Sequence, residues 1–150
     1  MKLSDRWFMG ISEAENDGLI VVNGRDDLKE WMTSQKLNER VEISWKYEEG
    51  VKGMPSEEEA CRMDEMQEAL RKAMERNKLA ILTGIYTGDG ERTWVFYTRN
   101  IKAFGDMLNQ TLAPFDLFPI TLYTEKDPEW NEYREMYELK GQSVGENENE

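Results

Sequence analysis

The side chains best suited to chemistry fall into two short runs. Arg92, Trp94, Tyr97 and Arg99 share one β-prone segment, and Asp127, Trp130 and Tyr133 follow one another at intervals of three near the C-terminus. Two guanidinium groups beside a phenol can hold a carboxylate or phosphate through charge-assisted hydrogen bonds. Trp130 and Tyr133 have the polar-tipped rings that binding surfaces favour. The seven residues are a candidate ligand face. A plainer account competes with it, in which the arginines pair with acids across strands, Asp127 caps a helix, and Trp130 and Tyr133 pack one turn apart.

What is missing narrows the chemistry further. The 150 residues include no histidine and one cysteine. Ser-His-Asp and Cys-His catalysis and histidine-bound zinc are therefore excluded, while carboxylate, lysine or tyrosine chemistry survives. Cys61 has no imidazole to activate it, and helical spacing turns it away from the apolar stripe of its helix, so it is expected to be partly exposed. Glu57, Glu58, Glu59, Asp64, Glu65 and Glu68 crowd one helix start, where they complement the macrodipole. Their spacing is not that of an EF-hand loop. The glycine-rich stretch Thr83–Gly90 crosses a hairpin and carries no lysine, unlike a phosphate-binding loop. No metal and no cofactor is expected.

The formal net charge is -12, and most of it is local: Glu48–Glu68 holds eight acids against two bases, and Lys126–Glu150 holds eight against three. No basic stripe is present, so direct nucleic-acid binding is not expected. No apolar run reaches the roughly 20 residues that span a bilayer, and the N-terminus lacks the apolar core of a signal peptide. A cytoplasmic protein with no membrane association is the expectation, with the oligomeric state left open.

The elements that must position these residues are legible in the periodicity. Trp7–Ile11 and Leu19–Val22, joined through Glu15-Asn16-Asp17-Gly18, read as a hairpin, and Leu28, Trp31 and Met32 as a short helix. Val41, Ile43, Trp45 and Tyr47 alternate with Glu42, Ser44, Lys46 and Glu48, the pattern of a strand with one buried face. After the Glu49–Pro55 connection, Ser56 and Glu59 form a capping box ahead of a helix with Met63, Met66, Leu70, Ala73 and Met74 on one stripe. Leu79–Thr87 and Arg92–Thr98 are strands about the Gly88-Asp89-Gly90 turn. Asn100 caps a helix through Leu112, and Gly105 inside it costs about 1 kcal/mol. Pro119 opens a strand over Ile120–Thr124. A last helix begins with Asp127 as its cap and Pro128 at its first position.

From Val41 the order is β-α-β-β-α-β, predicting an α+β, ferredoxin-like split β-α-β antiparallel sheet whose first and third strands are central. The N-terminal hairpin is expected to extend one edge and the C-terminal helix to cover the open face. A single domain over 1–140, followed by a disordered acidic tail over 141–150, accounts for the length.

Three stretches carry a family resemblance: Gly53-Met54-Pro55 with Glu57-Glu58, Gly90-Glu91-Arg92 leading to Phe96-Tyr97, and Asp127-Pro128-Glu129-Trp130-Asn131-Glu132-Tyr133. The chain resembles the bacterial family catalogued as number 695 of the domains of unknown function, which is distantly similar to the regulator of ribonuclease E activity B. The resemblance implies a ferredoxin-like fold and brings no established activity. Two functions remain open. One is a non-enzymatic interaction or regulatory domain whose acidic surface meets a basic protein partner. The alternative is a small-ligand binder or unusual enzyme using the sheet face around Arg92, Trp94, Tyr97 and Arg99, gated by the Asp127–Tyr137 helix.

Overall fold

A computed structural model describes residues 1–13, 18–48 and 53–141. Its elements are β1 (Trp7–Glu13), β2 (Leu19–Arg25), α1 (Lys29–Ser34), β3 (Glu39–Lys46), α2 (Glu57–Arg76), β4 (Ala80–Gly88), β5 (Glu91–Thr98), α3 (Ile101–Leu112), β6 (Ile120–Lys126) and α4 (Asn131–Tyr137). The Glu15-Asn16-Asp17 part of the hairpin connection, Glu49–Lys52 and the tail from Gln142 lie outside the described residues.

All six strands join one antiparallel sheet in the order β1-β2-β4-β5-β3-β6. The first and third strands counted from Val41, β3 and β5, are adjacent interior strands, and the N-terminal hairpin extends the sheet beyond β4. Asp89 and Gly90 turn β4 into β5 with both φ angles positive (56° and 79°), the geometry whose twist matches a two-residue hairpin.

Alternation divides the strands between two cores. On one face Val41, Ile43, Trp45, Leu82, Trp94 and Phe96 meet Met63, Met66, Leu70 and Met74 of α2 and Phe104 and Leu108 of α3. On the other, Val22, Ile81, Val95 and Tyr97 meet Leu28 and Trp31 from the α1 segment and Trp130, Tyr133 and Met136 from the α4 segment. The sheet is therefore covered by helices on both sides.

The helix starts differ in how they are satisfied. Ser56 Oγ accepts from Glu59 N at 3.1 Å, and Asn100 Oδ1 accepts from Ala103 N at 2.9 Å. The reciprocal half of the expected capping box is replaced: Glu59 Oε2 accepts from the Trp45 indole at 2.8 Å, because that buried N–H has to find a partner. The last helix starts three residues later than expected. Pro128 and Glu129 form a turn closed by Trp130 N donating to Asp127 O at 2.9 Å, and Trp130 takes a left-handed φ of 57° before α4 begins. That turn lets the indole enter the core.

Gly105 in α3 faces open space, with nothing within 4 Å of where a Cβ would stand. Gly105→Ala should therefore raise the unfolding free energy by about 0.5–1 kcal/mol through helix propensity, measured by equilibrium urea unfolding; destabilisation would show that the space is not free.

Candidate functional site

The backbone brings four of the seven candidate residues to one buried point. Tyr97 leaves β5 toward the α4 face, and the turn after β6 delivers Asp127 and Trp130 onto it. The Tyr97 and Trp130 rings stack at 4.2 Å with planes 21° apart, and Tyr133 meets Trp130 edge-on at 5.5 Å. Trp130 donates its indole N–H to Leu37 O at 2.8 Å, and the Tyr133 hydroxyl donates to Arg25 O.

Asp127 is the hub of this cluster. Its Oδ2 accepts from Tyr97 Oη at 2.7 Å, from Arg40 Nη1 at 2.9 Å and from Glu132 N at 3.2 Å, while Oδ1 accepts from Asn131 N at 2.8 Å. The capping role expected of Asp127 is thus performed from four residues upstream of the helix. Burial works against the charge, yet these donors outweigh it and hold the carboxyl below its ordinary range. Burial, reinforced by the hydrogen bond to Asp127, pushes the Tyr97 phenol up, so it stays a donor. Arg40 was not singled out in the sequence, where it is one more charged residue beside the Val41 alternation. It also lies 2.9 Å from Glu42 and 3.2 Å from Glu125.

The remaining candidates go elsewhere. Trp94 faces the opposite core, donating to Gln67 Oε1 at 2.9 Å, as expected for a residue an odd number of positions from Tyr97. Arg92 shares that side, with Nε donating to Thr87 Oγ1 at 2.8 Å and Nη1 lying 3.7 Å from Asp64 of α2. Arg99 is exposed beyond the end of β5. The seven residues do not form one surface, and the sheet face at Tyr97 is filled by Trp130 and Tyr133. Cys61 is exposed.

One group beside the cluster was missed by the sequence reading. Glu132 accepts a hydrogen bond from the Tyr86 hydroxyl, and its Oε1 is buried without a hydrogen-bond partner among the described residues. Burial and the neighbouring Glu42 carboxylate raise its pKa to about 7, although the Tyr86 bond acts in the opposite direction. A cleft of about 370 Å³ runs past it, lined also by Ile20, Glu42, Glu91, Thr93 and Val95. The arrangement can exchange a proton near neutral pH, which defines a titrating group rather than a reaction. The available signal was the motif Asp127–Tyr133 itself, whose third acid lies one residue before a buried tyrosine. Among the described residues no group of three or more carboxylate or thiol side chains is placed to hold a metal ion, and no helix is long and apolar enough to cross a membrane.

Fold and cluster together define an α+β domain with a six-stranded antiparallel sheet whose second face is sealed by a C-terminal helix tied to a buried aspartate. The chain belongs to the family of unknown function DUF695, whose model matches residues 5–137. Comparison with curated proteins and with solved structures gave no match.

Two outcomes follow for stability. Asp127→Asn should cost roughly 2–4 kcal/mol in urea unfolding, because it removes the most buried of the three carboxylates around Arg40 and turns an acceptor shared by Tyr97, Arg40 and the start of α4 into a weaker one. The contribution of Asp127 is complete above the unfolded carboxyl range and is lost as pH falls through the folded value, so the variant should show a flatter acid limb. Glu132 has the opposite sign. Between 4.5 and about 7 the unfolded chain releases a proton that the folded chain keeps, so stability falls as pH rises through that window. Glu132→Gln should therefore raise Tm by about 3–6 °C at pH 8 and by little at pH 4 in thermal unfolding. An equal shift at both values would show that ionisation is not the cause.

Proposed function

We propose that this domain works by binding another polypeptide at the β6 edge, as an interaction or regulatory module rather than a catalyst. The observation that carries the reading is the openness of that edge. Among the described residues β6 pairs only with β3, and every residue from Thr121 to Lys126 is exposed. Leu122 and Tyr123 are 45% and 53% exposed, and Leu117, in the connection just before the strand, is 95% exposed. Beside them a groove of about 450 Å³ runs between α3 and β6, lined by Leu108, Leu112, Phe115, Phe118 and Ile120. An unpaired edge next to apolar pockets is what an extended segment needs, with main-chain hydrogen bonds for affinity and pockets for side-chain selection. At the other edge the chain covers itself in part, since Gly141 N donates to Met9 O of β1 at 3.3 Å.

The partner is a basic protein. The acid-rich helix α2 adjoins the groove, where Arg62 donates to Leu117 O at 3.4 Å, and its first turn carries Glu57, Glu58 and Glu59. Such charge would chiefly speed and select the encounter. The strand order β6-β3-β5-β4 within the sheet supports reading this part as a ferredoxin-like split β-α-β unit with added elements.

The test is affinity recovery from host lysate with the wild type and with Leu117→Asp/Leu122→Asp, at low and high salt. Both side chains are exposed, and unchanged circular dichroism would confirm the fold. The expected result is a basic protein recovered at low salt and depleted about tenfold or more by the double variant. Identical recovery by both proteins would count against this surface.

A further inference from the structure

A second cleft lies on the α4 side of the sheet, between α1 and α4, away from the β6 edge and bordering the Asp127 cluster through Tyr133. Its volume is about 430 Å³, and it is lined by Leu28 and Met32 on one side, the Tyr133 and Tyr137 rings on the other, and Asp26, Asp27, Lys29 and Arg134. That is the size and apolar character of a small-molecule pocket. The two rings stand 5.9 Å apart at 42°, and Tyr137 is held in place against Phe8 at 5.3 Å and by its hydroxyl donating to Asp26 Oδ1 at 3.1 Å. The aromatic wall is thus fixed before anything binds.

The two acids and two bases of the cleft are not paired with one another. Asp26 is already paired with Lys140 at 2.5 Å, and Asp27 with Arg6 at 3.2 Å. Lys29 and Arg134 have no carboxylate partner among the described residues; Arg134 uses only its Nε, donating to Glu129 O at 2.7 Å. Two cations without an ion-pair partner among the described residues therefore stand beside an aromatic cleft in a protein of net charge -12. The overall negative field does not cancel this, because at physiological salt it is screened over about 8 Å.

We infer that the α1–α4 cleft binds a small aromatic carboxylate, its ring between Met32 and the two tyrosines and its anionic group between Lys29 and Arg134. Methionine and tyrosine faces suit a planar ring through sulfur–aromatic and offset-stacked contacts. The guanidinium of Arg134 suits a carboxylate through paired hydrogen bonds. This inference stands apart from the β6 reading, since the two surfaces share no residue.

Titration of the isotope-labelled full chain, followed by amide chemical shifts, tests it with three probes of one shape: phenylacetate, its neutral amide phenylacetamide, and cationic phenethylamine. The expected result is a saturable shift by phenylacetate confined to the amides of Leu28, Lys29, Met32, Tyr133, Arg134 and Tyr137, with a Kd of about 1 mM or tighter. Phenylacetamide should bind about tenfold more weakly, and phenethylamine more weakly still. Lys29→Gln/Arg134→Gln removes two exposed charges and the exposed Arg134–Glu129 hydrogen bond, and it should bring the acid down to the affinity of the amide while leaving the spectrum folded. Absence of saturable shifts, shifts centred elsewhere, equal binding of acid and amide by the wild type, or an acid preference that survives the double substitution would each overturn the inference.

Discussion

Asp127 is a carboxylate only 4% exposed, held in its charged form by its donors, and the second face of the sheet is organised around keeping it satisfied. Its four donors come from three places: a guanidinium on β3, a phenol on β5, and two amides at the start of α4. Removing a carboxylate from water is expensive, and only several aligned donors compensate for it. Because the donors sit on separate elements, satisfying one charge fixes the position of α4 relative to β3 and β5. A seven-residue helix has little stability of its own. Its place comes from this carboxylate together with the Trp130, Tyr133 and Met136 side chains behind it.

The two faces are built on different physics. Against α2 and α3 the sheet meets mainly methionines and aromatic rings, whose close packing sets the fit, with Trp45 and Trp94 sending their polar edges out to Glu59 and Gln67. Against α1 and α4 the apolar groups are threaded with polar bonds of fixed direction. Arg25, 1% exposed, brings such bonds to the α2 side as well: it is paired with Glu75 of α2 at 2.6 Å, donates to the carbonyls of Ser4 and Leu82, and lies 5.2 Å over the Trp7 ring. Directional contacts specify position more sharply than apolar burial does.

This difference also governs what could be read from the chain. The first face was legible because it obeys periodicity: Val41, Ile43 and Trp45 alternate, and Met63, Met66, Leu70 and Met74 recur at helical spacing, and all seven are buried. Ser56 and Asn100 were legible as caps because their bonds are local. The second face was legible only in outline. A helix after Asp127 could be read, but the left-handed turn at Trp130 follows from tertiary demand for the indole, which outweighs the local preference of Pro128 for a helix start. Glu59 left its local partner for Trp45 for a similar reason. The candidate site was half legible: Tyr97, Asp127, Trp130 and Tyr133 do converge, whereas Arg92 and Trp94 belong to the other side of the pleat. Arg40 and Glu132 escaped notice because a charged side chain on a strand or helix carries no sign of burial until its neighbours are known.

Gly84 gives the architecture a direction in time. At that position β4 passes so close to α4 that a Cβ would stand 2.3 Å from Met136 Sδ, and at Gly10 of β1 a Cβ would stand 2.3 Å from Leu139 O. The segment made after β6 thus lies directly upon strands made near the beginning. On a chain emerging from the ribosome, β1, β2, β4 and β5 can assemble early, but Val22, Ile81 and Val95 stay uncovered until Trp130 and Met136 have been synthesised. The nascent sheet therefore passes through a stage with one face covered by α2 and α3 and the other covered only by the α1 segment. During that interval it is open to chaperones or to misassociation, and the close seat at Gly84 is among the last contacts to form.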